Sequence, residues 1–153
     1  MKKLIFVVCI LGIALSVNAQ KLKESDVPSA VQTSFSSMYP DTKKVKWEME
    51  DGKYEAEFQQ NNVETSVLFD ANGTYIQKEV EISISELPDA VRNYVSANLS
   101  GQKIAEASKI SDAGGIITYE AEINNHDYIF DQSGNLLKKE SDENEQDKED
   151  DDK

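Results

Sequence analysis

Side chains with chemical potential are few in this sequence, and most are carboxylates. Glu55 and Glu57 in Tyr54-Glu55-Ala56-Glu57-Phe58 stand two residues apart, and so do Glu120 and Glu122 in Tyr119-Glu120-Ala121-Glu122-Ile123. On a strand that spacing puts each pair on one face, the minimum for an acid–base pair of the kind that cleaves glycosides. The single histidine, His126, follows Asn124-Asn125 in a turn pattern and reads as an exposed turn residue. A serine-type triad would need that imidazole oriented beside a nucleophile, and no Gly-x-Ser-x-Gly elbow is present. Zinc is poorly served by one His and one Cys. Asp70-Ala71-Asn72-Gly73 and Asp131-Gln132-Ser133-Gly134 could suggest calcium, but their spacing is that of hairpin turns in which Asp accepts backbone N–H bonds and Gly supplies a positive φ. The sequence therefore predicts no catalytic residue, no metal site and no cofactor. Glu on a solvated strand face is the ordinary reading of the carboxylate pairs.

The elements that carry these residues occur twice. Asp26-Val27-Pro28-Ser29-Ala30-Val31 returns as Glu86-Leu87-Pro88-Asp89-Ala90-Val91, the Tyr-Glu-Ala-Glu block returns as above, and Phe69-Asp70-Ala71-Asn72-Gly73 returns as Phe130-Asp131-Gln132-Ser133-Gly134. Three blocks in one order define two units, at 26–85 and 86–140. Each opens on a helix: Val27, Ala30, Val31, Phe35, Met38 and Tyr39 recur at three- and four-residue steps, with Pro28 in the first turn and Ser25 or Asp26 able to cap. Leu87, Ala90, Val91, Tyr94, Val95 and Leu99 repeat the stripe. The period then changes to two. Val45, Trp47 and Met49 alternate with charged residues, and a two-residue Asp51-Gly52 turn sets Glu50 against Lys53, Trp47 against Ala56 and Lys46 against Glu57. Further strands are expected over 63–69 and 74–82, then over 104–110, 116–123, 127–130 and 135–139. The predicted fold is α+β: two tandem pseudo-repeats, each one helix packed on an antiparallel four-stranded meander, with Trp47 in the core and a polar outer face.

Both termini differ in composition from this centre. Lys2-Lys3, an apolar stretch over Leu4 to Leu15, and Val17-Asn18-Ala19 have the form of a cleaved bacterial export signal over 1–19. The apolar stretch is too short to span a bilayer core of about 30 Å, so no membrane insertion is expected. From Glu140 to Lys153 nine acids accompany two lysines, and 141–153 reads as a disordered acidic tail. The whole chain of 153 residues has a formal charge of −13. Such a balance excludes nucleic acid as a partner, because no basic stripe is present to neutralise phosphates.

The helix opening x-Val/Leu-Pro-x-Ala-Val, the Tyr-Glu-Ala-Glu-apolar strand and the Phe-Asp-x-x-Gly turn together resemble the PepSY-like family described as similar to β-lactamase-inhibitor proteins, over nearly all of 26–140. The resemblance implies a secreted or periplasmic bacterial protein with no established enzymatic activity, whose related modules inhibit or bind proteins. The inhibitor named in that description binds its enzyme on a concave sheet surface. This chain lacks that inhibitor's disulfide cysteines, and none of the inhibitor's contact motifs can be matched here residue by residue. The leading functional expectation is an exported, non-enzymatic binding module, periplasmic or secreted. It would engage a protein, peptide or envelope component through exposed sheet faces carrying Lys44, Lys46, Glu55, Glu57, Thr118, Glu120 and Glu122, with inhibition as one form of that binding. The alternatives are a structural or chaperone-like envelope protein kept soluble by its tail and, third, a carboxylate-based enzyme. Oligomeric state is not legible in the sequence. The signal itself is testable: the exported chain is expected to begin at Gln20, and intact-mass measurement that finds Met1 to Ala19 retained would contradict it.

Overall fold

The computed structural model describes residues 20–50 and 52–141. The predicted signal over 1–19 lies outside the described residues, as does the acidic tail from 142 onward. Nine strands and two α-helices follow in the order β1 (Gln20–Leu22), α1 (Ser29–Met38), β2 (Lys46–Glu50), β3 (Lys53–Gln60), β4 (Val63–Phe69), β5 (Tyr75–Glu81), α2 (Asp89–Asn98), β6 (Glu106–Asp112), β7 (Ile117–Glu122), β8 (His126–Asp131) and β9 (Leu136–Ser141). All nine strands are antiparallel neighbours in one sheet, in chain order. Two helices and an antiparallel sheet make the fold α+β. The sequence pattern suggested two separate meanders. Instead β5 pairs with β6 from Gln77↔Asp112 to Glu81↔Ser108, which joins the halves into one surface.

Each helix buries the side chains its spacing selects. Val27, Val31 and Phe35 pack on Trp47, Ala56, Phe58, Val67 and Phe69. Sixty residues on, Leu87, Val91 and Val95 pack on Ala107, Ala121, Ile123, Tyr128 and Phe130. The cross-strand register puts these strand residues on one side of the sheet, so both helices lie on the same face. Met38, expected in the apolar stripe, is 45% exposed because the helix ends there and Tyr39 takes its C-cap.

Neither Ser25 nor Asp26 caps α1. They sit in a 3-10 turn, Glu24–Asp26, and the N-cap position is Pro28, which makes no side-chain cap bond. A side chain from the helix itself ties the turn down: Gln32 Nε2 donates to the carbonyls of Glu24 (2.8 Å) and Val27 (2.9 Å). Arg92 occupies the equivalent place on α2 and donates to the carbonyls of Ser85 and Leu87. The β1–β2 pairing also recurs. Gln20↔Met49 and Lys21↔Glu48 are matched sixty residues later by Val80↔Lys109 and Glu81↔Ser108. Leu22 packs on the first core and Ile82 on the second. The end of β5 therefore does for α2 what β1 does for α1.

The Phe-Asp-x-x-Gly blocks form the β4–β5 and β8–β9 hairpins. Asp70 Oδ1 accepts N–H bonds from Asn72 and Thr74 at 2.8 Å each, and Asp131 Oδ1 accepts from Ser133 and Asn135 at 2.9 Å each. These bonds favour the ionised form and hold both carboxyls below their usual pKa, at Asp70 mainly through the backbone of Thr74 and at Asp131 mainly through Asn135. Gly73, at φ +80°, lies so close to α1 that a Cβ would stand 2.5 Å from the Ala30 carbonyl oxygen; at Gly134, φ +81°, it would stand 2.7 Å from the Ala90 carbonyl carbon. The glycine thus satisfies the turn and lets the hairpin reach the helix. Asp112 and Gly115 build the same turn between β6 and β7, but there a Cβ would meet nothing within 4 Å.

Three outcomes are expected from this arrangement. Gly115→Ala should cost about 1–2 kcal/mol in urea melts, the price of a left-handed backbone alone, and Gly73→Ala should cost distinctly more because backbone must also move; equal losses would contradict the helix contact. Phe58→Ala, at a site 5% exposed, should cost about 3–5 kcal/mol. For the turn carboxylates the folded pKa lies below the unfolded one, so their contribution is complete above the unfolded pKa of about 3.9 and is lost as pH falls through the folded value. The urea midpoint should decline below about pH 4, and the Asp70→Asn/Asp131→Asn variant should decline less steeply.

Candidate functional site

With both helices on one face, the opposite face of the sheet is not covered by either. Cross-strand register assigns its residues. The row Lys46, Glu57, Ser66, Glu79, Ile110, Thr118 and Asp131 crosses from β2 to β8. A second row runs Glu81, Ser108, Glu120, Ile129 and Lys138. A third, confined to the second half, is Glu106, Glu122, Asp127 and Glu140, four carboxylates on four consecutive strands. Of the residues the sequence nominated, Lys46, Glu55, Glu57, Thr118, Glu120 and Glu122 stand on this face. Lys44 does not: it lies in the loop before β2, on the rim of a separate cleft.

The electrostatics of the face change along it. At the β2 end Lys46 Nζ lies 3.2 Å from Glu57 Oε2, and this hydrogen bond raises the lysine's pKa. The Lys46 side chain is 77% exposed, so the pair is screened and fixes little. At the β9 end Glu106, Glu122, Asp127 and Glu140 stand side by side across four strands, and Lys138 forms an ion pair with Glu140. The carboxyls that hydrogen bonding lowers are Asp70, Glu86 and Asp131, all in turns. Glu86 owes its shift to Ser83, whose backbone N–H and hydroxyl both donate to it. Among the described residues no group of His, Cys, Asp or Glu is placed to hold a metal ion. His126 is not a turn residue but the first of β8, half-buried, with Nδ1 2.8 Å from the Asn124 carbonyl oxygen.

Sequence reasoning missed several residues of the open face. Leu68, Ile110 and Ile129 give it apolar content, and Ile110 is only 8% exposed although it points away from the helices. Glu106, Asp127 and Glu140 complete the carboxylate row. Carrying the register across Asn124-Asn125, both at positive φ in a two-residue turn, would have placed Asp127 opposite Glu122.

The cleft beside Lys44 has a volume of about 540 Å³ and lies between the C-terminal half of α1, the loop that follows it, and the ends of β2, β3 and β4. Its wall holds Phe35, Tyr39, Trp47 and Phe58. Phe35 meets Trp47 at 5.4 Å and Phe58 at 5.2 Å between ring centroids, and Tyr39 meets Phe58 at 4.6 Å. Burial pushes the Tyr39 hydroxyl's pKa up.

Known proteins share this fold. A BLIP-like protein from Bacteroides fragilis is 26% identical, with 78% of this chain and 90% of that one covered and a TM-score of 0.59. A DUF2874 family protein from Bacteroides uniformis is 23% identical over 73% of this chain and 87% of that one, at a TM-score of 0.64. A protein from Bacteroides eggerthii described as periplasmic is 21% identical over 74% and 88%, at 0.65. No curated protein matches the sequence. The family described as "Putative beta-lactamase-inhibitor-like, PepSY-like" matches twice, over residues 14–77 and 52–138. The two overlapping matches span most of the chain and cover both helix-and-hairpin halves, and the protein belongs to this PepSY-like family.

Proposed function

We propose that the protein is an exported, periplasmic binding module without catalytic activity, which engages a protein or peptide partner through the open face of its sheet. The observation that carries this reading is the placement of both helices on one side of nine continuous strands, which leaves the other side as a broad, rigid platform. A periplasmic location is supported by the export-signal pattern over 1–19 and by the description of the eggerthii protein of the same fold. The likeness to a BLIP-like protein favours binding, with inhibition as one possible mode.

In this reading each of the two units, 26–85 and 86–140, contributes a four-stranded meander to the platform and one helix to its back. The first presents mixed charge, with Lys46 beside Glu55 and Glu57, and the second presents Glu120 and Glu122 beside the carboxylate row. Such a surface suits a basic or mixed-charge protein partner. The acidic tail would speed encounter through long-range attraction rather than hold the complex.

The test is capture from bacterial envelope extract with the chain lacking 1–19, followed by affinity measurement on what is recovered. Glu120→Lys/Glu122→Lys should weaken binding about tenfold or more and flatten its salt dependence. Unchanged affinity and unchanged salt dependence would move the site off the sheet.

A further inference from the structure

We propose that the cleft under the C-terminal half of α1 binds a small amphipathic anion, an apolar body carrying one carboxylate or sulfonate group. The site is separate from the open sheet face and does not depend on that face having a partner.

Three observations converge on it. The first is size: about 540 Å³ is within the range that holds a small organic ligand. The second is the comparison the molecule makes with itself. Phe35, Trp47 and Phe58 occupy core positions that in the other half are filled by Val95, Ala107 and Ile123, and Tyr39, sixty residues before Leu99, follows the same rule. The helix closes onto the sheet with aliphatic side chains there, so this fold does not require four aromatic rings at the cleft. Phe35, Trp47 and Phe58 are each 5% exposed and reach the cleft with a small part of each ring, while the half-buried Tyr39 exposes more of its own. The third is charge. In a chain of net charge −13, Lys43, Lys44 and Lys46 gather within four residues on the rim, whereas the equivalent stretch of the other half reads Lys103, Ile104 and Glu106. Lys46 is engaged by Glu57. Glu24 and Glu64 also line the cleft, so the anion is assigned to the Lys43–Lys44 side. An apolar body against the rings with its anionic group at these lysines uses both features at once.

The chain contains one tryptophan, and it stands in the cleft wall, so binding reports on itself. The probe is 1-anilinonaphthalene-8-sulfonate, titrated into the folded chain while Trp47 emission and dye emission are followed together. A single saturable phase is expected in both signals. Lys43→Glu/Lys44→Glu should weaken the sulfonate dye about tenfold but leave the uncharged N-phenyl-1-naphthylamine within about twofold. Ser36→Phe, at an exposed position of α1 that lines the cleft, should block both dyes. Lys138→Glu/Lys139→Glu, which changes net charge equally at the far edge of the sheet, should change neither. Circular dichroism confirms that each variant is folded. The proposal is overturned if Ser36→Phe leaves dye affinity intact, if the two lysine pairs have equal effects, or if Trp47 emission does not follow dye occupancy.

Discussion

The hydrogen-bonded ladder between β5 and β6 is the constraint on which the molecule's shape rests. Without it the chain would be two helix-on-hairpin halves joined by a linker. With it, nine strands pair in chain order from Gln20 to Ser141, with register shifts at Leu68/Phe69 and Ile129/Phe130, and the two halves share one inner and one outer face. Both helices then have to share a side, because each follows the same apolar alternation of the sheet. Burial of the two cores drives folding, but neither core touches the far face, so that face can carry charges at little cost to packing.

Most of this was legible in the sequence because it rests on local rules. The Asp51-Gly52 turn fixed the β2–β3 register, and every pair read from it, from Glu50↔Lys53 to Lys46↔Glu57, occurs in the structure. The span of β4, Val63–Phe69, followed from the Asn61-Asn62 and Asp70–Gly73 turns that bound it. The β5–β6 ladder was not legible. It joins residues separated by a whole helix, and nothing in the local pattern of Tyr75–Glu81 distinguishes an edge strand from a central one. The helix starts were displaced for a related reason: Pro28 and Pro88 take the cap position, and the task of securing the preceding turn falls to Gln32 and Arg92, five residues downstream of the nearer carbonyl each one ties. Of the nominated surface residues, Lys44 alone missed the sheet face, since alternation was extended past the true start of β2 at Lys46.

The two halves share backbone geometry yet divide their surface chemistry. Residues 26–85 hold seven aromatic side chains and residues 86–140 four, and Lys43, Lys44 and Lys46 of the first half correspond to Lys103, Ile104 and Glu106 of the second. At Trp47 and Ala107 one position takes the largest side chain and nearly the smallest without altering the strand pairing, Trp47↔Ala56 against Ala107↔Ala121. The backbone ladder carries the architecture, which leaves side chains at the ends of the helices free to diverge.

The doubled role of β5 bears on how such a molecule grows. Its last residues, Val80 and Glu81 with Ile82 beyond, begin the second unit, so duplication of this gene segment adds a unit by extending a strand instead of building a new interface. The second unit is thus completed by its predecessor: the residue that follows the last strand of the first half seals the core beneath the second helix.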